Sequence, residues 1–174
     1  MSATEVILVN ESDEAIGTME KIEAHRKALL HRAFSIFILN DRGEMLLQQR
    51  ADNKYHSPGL WTNACCSHPA PGEDVYTAAV RRLKEELGFT AEIFPAFNFT
   101  YKADFSNGLT EYEYDHVFVG TYNGVISPDV EEVKDYKFGS LPEIERLMQE
   151  EPGRFTSWFL IAFPKLRNWL VNTV

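Results

Sequence analysis

The sequence predicts an α+β domain in which helices flank a mixed central β-sheet. Short segments rich in β-branched and aromatic residues, separated by turn signals, dominate the middle of the chain. Helical segments surround them, and 44% of the 174 residues are hydrophobic, which is enough for a sizeable core. This length predicts one domain, residues 1–174, with an N-terminal strand and C-terminal helical additions.

The first half of the chain carries three predicted strands. Apolar, β-branched segments at 5–10 and 33–39 predict the first two. The turn signal Asn40–Gly43 predicts a hairpin that joins 33–39 to a third strand over 45–50. Residues 14–30 have a mixed pattern, and a loop rich in Pro and Gly follows the third strand.

The clearest helix spans residues 73–87. It follows Pro71–Gly72, has acidic residues in its first turn and ends at Gly88. The remaining predicted elements are strands over 93–101 and 112–122 around a turn at 106–108, a helix over 141–149 with Pro142 at its start, and an apolar helix over 155–171 that is bent or broken near Pro164.

Charge and hydropathy argue against nucleic acid and membranes as partners. The net charge of −9 disfavours binding of nucleic acid or an anionic membrane over the surface as a whole. No apolar run reaches the roughly 20 residues that span a bilayer, and Met1–Glu5 lacks the pattern of a secretory signal. The two cysteines are adjacent and form a poor disulfide framework, so we expect a cytoplasmic protein.

Strand alternation places two pairs of polar side chains on common faces. Glu111 and Glu113 share one face of their strand, and Cys66 and His68 share a face if their segment is extended. One interpretation is that these groups help to form a metal site. The other is that the carboxylates lie on a solvated strand face and the histidines are scattered, and spacing alone favours this second interpretation.

Two further histidines would complete such a metal site. His25 and His31 are six residues apart, so they converge only if a helix ends and a strand begins between them. Three imidazoles and two carboxylates would suit Zn²⁺, Mn²⁺ or a similar ion.

The predicted helix at 73–87 resembles the Nudix box, and the matching residues are Glu73, Arg81, Glu85, Glu86 and Gly88. Arg82 stands where Nudix hydrolases carry a metal-binding glutamate, and Ser67 replaces a glycine at the start of the box. A guanidinium at this position can bind phosphate oxygens directly, while Glu86 one turn away can still hold Mg²⁺. The alternative is an ordinary surface ion pair between Arg82 and Glu86.

A more specific resemblance covers residues 5–158. The sequence resembles the type 1 isopentenyl-diphosphate delta-isomerases, and the matching segments in order are His25, Leu30–Ser35, Gln49–Ala51 with Lys54, Pro58–Asn63, Cys66–Pro69, Arg81–Leu83 with Glu86–Gly88, and Glu111–Glu113. The resemblance implies a Nudix-like fold and an isomerase of isoprenoid precursor biosynthesis. Such an enzyme interconverts isopentenyl diphosphate and dimethylallyl diphosphate by moving a double bond.

The same resemblance implies roles for individual residues. Cys66 and Glu113 would exchange protons with the allylic unit on opposite faces, with Tyr101 as a hydrogen-bonding partner of Glu113. A divalent ion, Mn²⁺ or Zn²⁺, would be held by His25, His31, His68, Glu111 and Glu113. A Mg²⁺ that accompanies the diphosphate would be held by Glu86 and the backbone carbonyl of Cys66, and substrate would contact Lys21, Arg50, Lys54, Ser67, Arg82 and Trp158.

Several alternatives stay open at this point. Trp158 could face the developing carbocation or serve core packing alone, and its sequence context favours packing. Cys65 points away from Cys66 in an extended segment and is interpreted as a packed thiol. A Nudix hydrolase of nucleoside diphosphate derivatives and a catalytically silent metal- or phosphate-binding module are the rival functions. The expected partner is a small diphosphate, and the expected state is a monomer or weak homodimer.

Overall fold

The computed structural model describes residues 4–173. Its elements in chain order are β1 (Glu5–Val9), β2 (Ala15–Glu20), α1 (Lys21–Arg26), β3 (His31–Leu39), β4 (Met45–Arg50), β5 (Trp61–Thr62), β6 (Cys65–Ser67), α2 (Val75–Leu87), β7 (Ile93–Asp104), β8 (Thr110–Thr121), β9 (Val133–Gly139), α3 (Leu141–Glu150), a short 3₁₀ turn (Pro152–Arg154) and α4 (Ser157–Thr173). A mixed sheet with flanking helices confirms the predicted α+β class.

Strand β3 is the centre of the sheet. One edge pairs in parallel with β8 along its whole length, from His31 opposite Glu113 to Leu39 opposite Thr121. The other edge pairs antiparallel with β6, where Cys66 lies opposite Ser35. Because β3 is nearly all buried, its run of apolar residues matches a strand covered on both faces.

The predicted hairpin between 33–39 and 45–50 is wrong beyond its first pair. Only Leu39 and Met45 pair across the turn. Strand β4 instead runs antiparallel to β9 over six pairs and to β5 over two. The edges of β3 are already taken by β6 and β8, so β4 diverges after the turn.

Four strands were not predicted: the short β5 and β6, which are mostly buried, and β2 and β9, which are mostly exposed. Strand β2 covers β1 as an edge strand, and five of its six residues are exposed. Strand β9 reads Val-Lys-Asp-Tyr-Lys-Phe-Gly and buries only its first and last residues. Polar strands of this kind lack the apolar alternation on which sequence reasoning depends.

Helix α2 begins two residues later than predicted. Asp74 is its N-cap and accepts a hydrogen bond from the backbone N–H of Thr77 at 3.1 Å, so the acidic residues precede the helix. The helix ends as expected at Gly88, whose φ of +76° is the left-handed conformation that glycine adopts without strain. Its buried face includes Leu83 and Leu87, which pack against β3 on one side of the sheet.

Helix α4 covers the opposite side of the sheet. It starts at Ser157, because the hydroxyl of Thr156 accepts the backbone N–H of Phe159 at 3.3 Å. Of the predicted bend or break near Pro164, the break is wrong, since the helix is continuous to Thr173. Buried Phe163 and Leu166 lie on both sides of the proline, and their packing outweighs the lost hydrogen bond. None of the helices within residues 4–173 is long and apolar enough to cross a membrane.

Candidate active site

One pocket collects most of the residues that the sequence singled out. It is lined by Lys21, Arg50, Lys54, Tyr55, His56, Cys66, Ser67, His68, Arg82, Glu86, Glu111, Glu113 and Trp158. Three further predicted residues, His25, His31 and Tyr101, are buried beside it. Tyr55 and His56 are the two lining residues to which the sequence assigned no role.

His25 and His31 converge through the transition that their spacing requires. His25 lies in the last turn of α1, His31 begins β3, and Ala28 between them turns the chain with a φ of +53°. Their Nδ1 atoms lie 2.6 and 2.9 Å from the backbone carbonyls of Lys21 and Leu29, respectively. Because a carbonyl oxygen only accepts, each Nδ1 carries the proton and each Nε2 keeps its lone pair for a cation.

Glu113 is the centre of this cluster. Its Oε2 lies 3.2 Å from Nε2 of His31 and 2.5 Å from Nε2 of His68, and its Oε1 accepts a hydrogen bond from the Tyr101 hydroxyl. Burial alone would raise the pKa of this carboxyl, but His68 and His31 hold it well below the usual value. Burial lowers the pKa of His68 to about 4, and the neighbouring Glu113 opposes this shift.

The possible metal ligands form two groups that share His25. His25, His31, His68 and Glu113 offer ligand atoms that all lie within 4.8 Å of one another, and His25, Glu111 and His56 form a second such group. The alternative of a solvated strand face is wrong, because Glu111 and Glu113 are 4% and 5% exposed.

The buried polar atoms of the cluster fit a cation. Nε2 of His25 and Oε2 of Glu111 are both buried and have no hydrogen-bond partner among the described residues. Burial and the neighbouring Glu113 raise the pKa of Glu111. Such a shift is expected for a buried carboxylate that has no positive charge beside it. A divalent ion bound here would satisfy both atoms and offset the charge of the paired carboxylates.

Cys66 lies in β6 with three polar contacts to its sulfur. The thiol donates to Oδ1 of Asn63 at 3.0 Å, the indole Nε1–H of Trp158 donates to the sulfur at 3.1 Å, and the Ser35 hydroxyl lies at 3.4 Å. Two donated bonds from the Asn63 amide to the backbone carbonyls of Ile36 and Cys65 fix its orientation. Burial raises the pKa of the Cys66 thiol, so it is protonated at neutral pH.

Trp158 is buried as a packing residue would be, and it also forms part of the pocket wall. It is only 3% exposed, yet it lines the pocket and contacts Cys66. The guanidinium of Arg50 lies 5.2 Å from its ring centroid, which shows that this face accepts a cation.

Cys65 points away from Cys66, as the alternation predicted, and both cysteines are free. Its thiol is fully buried and donates to Oε2 of Glu86 at 2.8 Å. Burial raises the pKa of this thiol, and Glu86 raises it further. Cys65 is therefore a hydrogen-bonding partner of the Nudix-box glutamate as well as a packed side chain.

Arg82 is not a surface residue, so the alternative of an exposed ion pair is wrong. Its side chain is 3% exposed, and its guanidinium donates to Glu85 at 2.6 Å and lies 3.7 Å from Glu86 and 3.5 Å from Glu132. Burial opposes its positive charge, but Glu86 raises the pKa of the guanidinium, which stays charged. Its Nε is buried with no hydrogen-bond partner within residues 4–173.

Three more cations share this end of the pocket. Lys54 pairs with Glu132, and Arg50 donates to the backbone carbonyls of His56 and Ser57 at 3.2 Å each. Burial lowers the pKa of Lys21, and nearby Lys54 lowers it further. A pocket wall that gathers four cations in a chain of net charge −9 suits an anionic ligand.

Among the buried polar residues to which sequence reasoning assigned no role at the site are Asp115 and His56. Asp115 continues the alternation of Glu111 and Glu113, is 1% exposed and accepts a hydrogen bond from Ser35 at 2.7 Å. The period-two pattern was sufficient to find it. His56 follows no such pattern, because a loop brings it to the pocket.

Comparisons with known proteins agree with this architecture. The NUDIX domain model matches residues 29–159. A solved Deinococcus radiodurans protein has a TM-score of 0.77 at 17% identity, over 92% of this chain and 98% of its own. An Ap4A hydrolase from C. elegans has a TM-score of 0.59 at 20% identity, over 81% of this chain and 98% of its own. Likeness at such low identity shows the shared Nudix fold alone.

Sequence relatives are much more similar. The Isopentenyl-diphosphate Delta-isomerase of Pectobacterium atrosepticum is 47% identical over 169 residues, which cover 97% of this chain and 94% of that protein. The protein of the same name from Burkholderia multivorans is 46% identical and covers 94% of this chain and 96% of its own. The chain is therefore an enzyme that belongs to the isopentenyl-diphosphate Delta-isomerase family, within the NUDIX-domain proteins.

Proposed function

We propose that the chain interconverts isopentenyl diphosphate and dimethylallyl diphosphate, with Cys66 and Glu113 as the proton-exchanging groups. The observation that carries this proposal is the placement of the two side chains. Both line one pocket, and the strands that bear them, β6 and β8, flank β3 on opposite edges. Isomerisation adds a proton at one carbon of the allylic unit and removes one from another, and two such groups placed apart in the pocket can act on opposite faces of that unit.

Cys66 is suited to exchange a proton in a dry environment. Asn63 accepts from the neutral thiol, while the Trp158 indole donates to the sulfur and would stabilise a thiolate. Each protonation state thus has a hydrogen-bond partner in the protein, and no water is needed at the sulfur. The Trp158 ring would shield the tertiary cation that forms when the alkene takes up a proton.

Glu113 is the second proton-exchanging group. Tyr101 donates to one of its carboxylate oxygens, while the imidazoles of His31 and His68 face the other. A divalent ion, Mn²⁺ or Zn²⁺, would be held by His25, His31, His68, Glu111 and Glu113, and when bound it supplies the positive charge that orients Glu113 and tunes its acidity.

The opposite end of the pocket would bind the diphosphate. Arg82, Lys21, Lys54 and Arg50 supply the positive charge. Glu86, which accepts a hydrogen bond from the Cys65 thiol, would hold Mg²⁺ together with the backbone carbonyl of Cys66. Ser67 lines the same pocket and would add a hydroxyl or backbone contact.

Product analysis tests this function. The purified enzyme is incubated with isopentenyl diphosphate and Mg²⁺, and separately with a panel of nucleoside diphosphate derivatives. We expect dimethylallyl diphosphate from the first and no released phosphate or nucleotide from the second. Hydrolysis of a nucleotide without isomerisation would favour the Nudix-hydrolase alternative, against which Arg82 argues because it replaces a metal-binding carboxylate.

We also propose that residues 1–174 form one domain, that the protein is cytoplasmic, and that it is a monomer or weak homodimer with neither nucleic acid nor membrane as a partner. The acidic net charge supports the absence of nucleic acid and anionic membranes as partners. The continuous sheet supports a single domain. Size-exclusion chromatography with light scattering measures the oligomeric state.

A further inference from the structure

His56 places a fourth imidazole beside the histidine–glutamate cluster. Its side chain is buried, and its Nε2 lies 3.9 Å from Oε1 of Glu111. Its ring stacks on that of His25, with the centroids 5.9 Å apart and the planes at 27°. The ligand atoms of His56, His25 and Glu111 all lie within 4.8 Å of one another, which is a spacing that a shared cation can bridge.

His25 can ligate only one ion. Its Nδ1 is occupied by the carbonyl of Lys21 at 2.6 Å, so only Nε2 has a lone pair to offer. That one lone pair binds one metal ion. Because His25 belongs to both groups of possible ligands, the two groups cannot each hold an ion through it.

We infer that His56 is a further protein ligand of the divalent cation centre, which it completes together with Glu111. This inference rests on the metal centre of the proposed function. The full set would be four imidazoles and two carboxylates, and it would join the group of His25, His31, His68 and Glu113 to the group of His25, His56 and Glu111. Six ligands exceed the four that Zn²⁺ takes in structural sites, so the set favours an ion that accepts octahedral coordination, such as Mn²⁺.

Ligation by His56 would connect the cation to the wall of the substrate pocket. The ring of His56 stacks on Phe105 at 4.9 Å with the planes at 5°, and it meets Trp158 edge-on at 5.7 Å. Its backbone carbonyl accepts a hydrogen bond from Arg50 at 3.2 Å. The loop between β4 and β5 would therefore be held in place by the same ion that orients Glu113.

Metal affinity measured without substrate tests this inference. Mn²⁺ is titrated against a chelating indicator in the presence of the full chain, for the wild type, His56→Gln and His56→Phe. The phenylalanine variant keeps an aromatic ring to stack on Phe105 but cannot ligate. We expect both variants to bind one Mn²⁺ about tenfold more weakly, or worse, than the wild type.

A matched control removes a histidine outside the pocket. His116 lies 2.9 Å from Asp13 through its Nε2, so His116→Gln should leave Mn²⁺ affinity unchanged. Wild-type affinity in His56→Phe would overturn the role of His56 and leave the other five ligands standing. Two Mn²⁺ ions per wild-type chain would also overturn it, and a wild type that binds none would overturn the metal centre as well.

Discussion

At the residue scale, the two adjacent cysteines have separate environments. Cys66 meets Asn63, Ser35 and Trp158 at the pocket, whereas Cys65 is buried on the other side against Glu86. Alternation along β6 alone sends them in opposite directions. Replacing each cysteine by alanine in turn removes only one sulfur atom. The two variants can therefore distinguish a role in the reaction from a role in packing.

Cys66→Ala should abolish isomerisation, because it removes the proton-exchanging group, with a loss of at least about 10²–10⁴-fold in kcat. Cys65→Ala should keep most of the activity. It leaves the buried Glu86 carboxylate without its thiol donor, so its free energy of unfolding should fall by about 1–3 kcal/mol. Initial rates and urea unfolding of both variants measure these effects. Comparable activity loss in the two variants would contradict the assignment.

Glu113→Gln should remove turnover, since an amide cannot exchange the proton, and should also weaken metal binding. Tyr101→Phe is the matched comparison, because it removes only the hydroxyl that donates to Glu113. We expect it to bind metal like the wild type and to lose less activity than Glu113→Gln. Steady-state rates and metal content are measured for both variants, and near-normal turnover in Glu113→Gln would be incompatible with its role.

At the scale of elements, helices and strands were predicted correctly where one buried face produces a periodic pattern of apolar residues. Strands without such a pattern were missed. The start and stop signals of α2 placed it to within two residues, and the alternation of β8 correctly put Glu111 and Glu113 on one face. Spacing alone favoured a solvated face, whereas the structure buries both carboxylates. Strand β9 is polar and was missed, although it is the main partner of β4. The pairing of β4 depends on long-range competition for the edges of β3, which no local sequence signal records.

Helix α2 offers a test of the Nudix-box glycine. A Cβ on Gly88 would lie 2.4 Å from the carbonyl oxygen of Ser127, whereas one on Gly72 would meet no atom within 4 Å. Both glycines have φ near +77°, so each alanine costs roughly 1–2 kcal/mol for backbone conformation. Gly88→Ala should lose clearly more stability than Gly72→Ala in urea unfolding. Equal losses would show that the contact with Ser127 yields without cost.

At the scale of the whole molecule, the fold brings together residues that are remote in sequence. The family resemblance supplied the proposed ligands and the proposed proton-exchanging pair, and the structure brings these residues to one site. The turn at Ala28 that joins His25 to His31 has no sequence signature. His56 comes to the pocket on a loop, so neither periodicity nor spacing predicts it. The fold also places four basic side chains at one pocket of an acidic protein. The net charge of the sequence does not reveal this local cluster.

Removal of metal should destabilise the whole molecule, because Glu111 and Glu113 then remain buried side by side without a counter-ion. Thermal unfolding is measured after dialysis against a chelator and again with added Mn²⁺. At 100 times its Kd, a single bound ion stabilises the folded state by about 2.7 kcal/mol. An unfolding temperature that does not respond to Mn²⁺ would argue against a cation in the cluster.

Transfer of protons on two faces of the substrate is the central claim, and solvent labelling tests it most directly. The enzyme is incubated with isopentenyl diphosphate and Mg²⁺ in deuterated water, and the product is analysed by mass spectrometry and NMR. We predict dimethylallyl diphosphate that carries deuterium from solvent in the wild type, and none formed by Cys66→Ala or Glu113→Gln. Dimethylallyl diphosphate formed without any deuterium, or formed at the wild-type rate by either variant, would contradict the account.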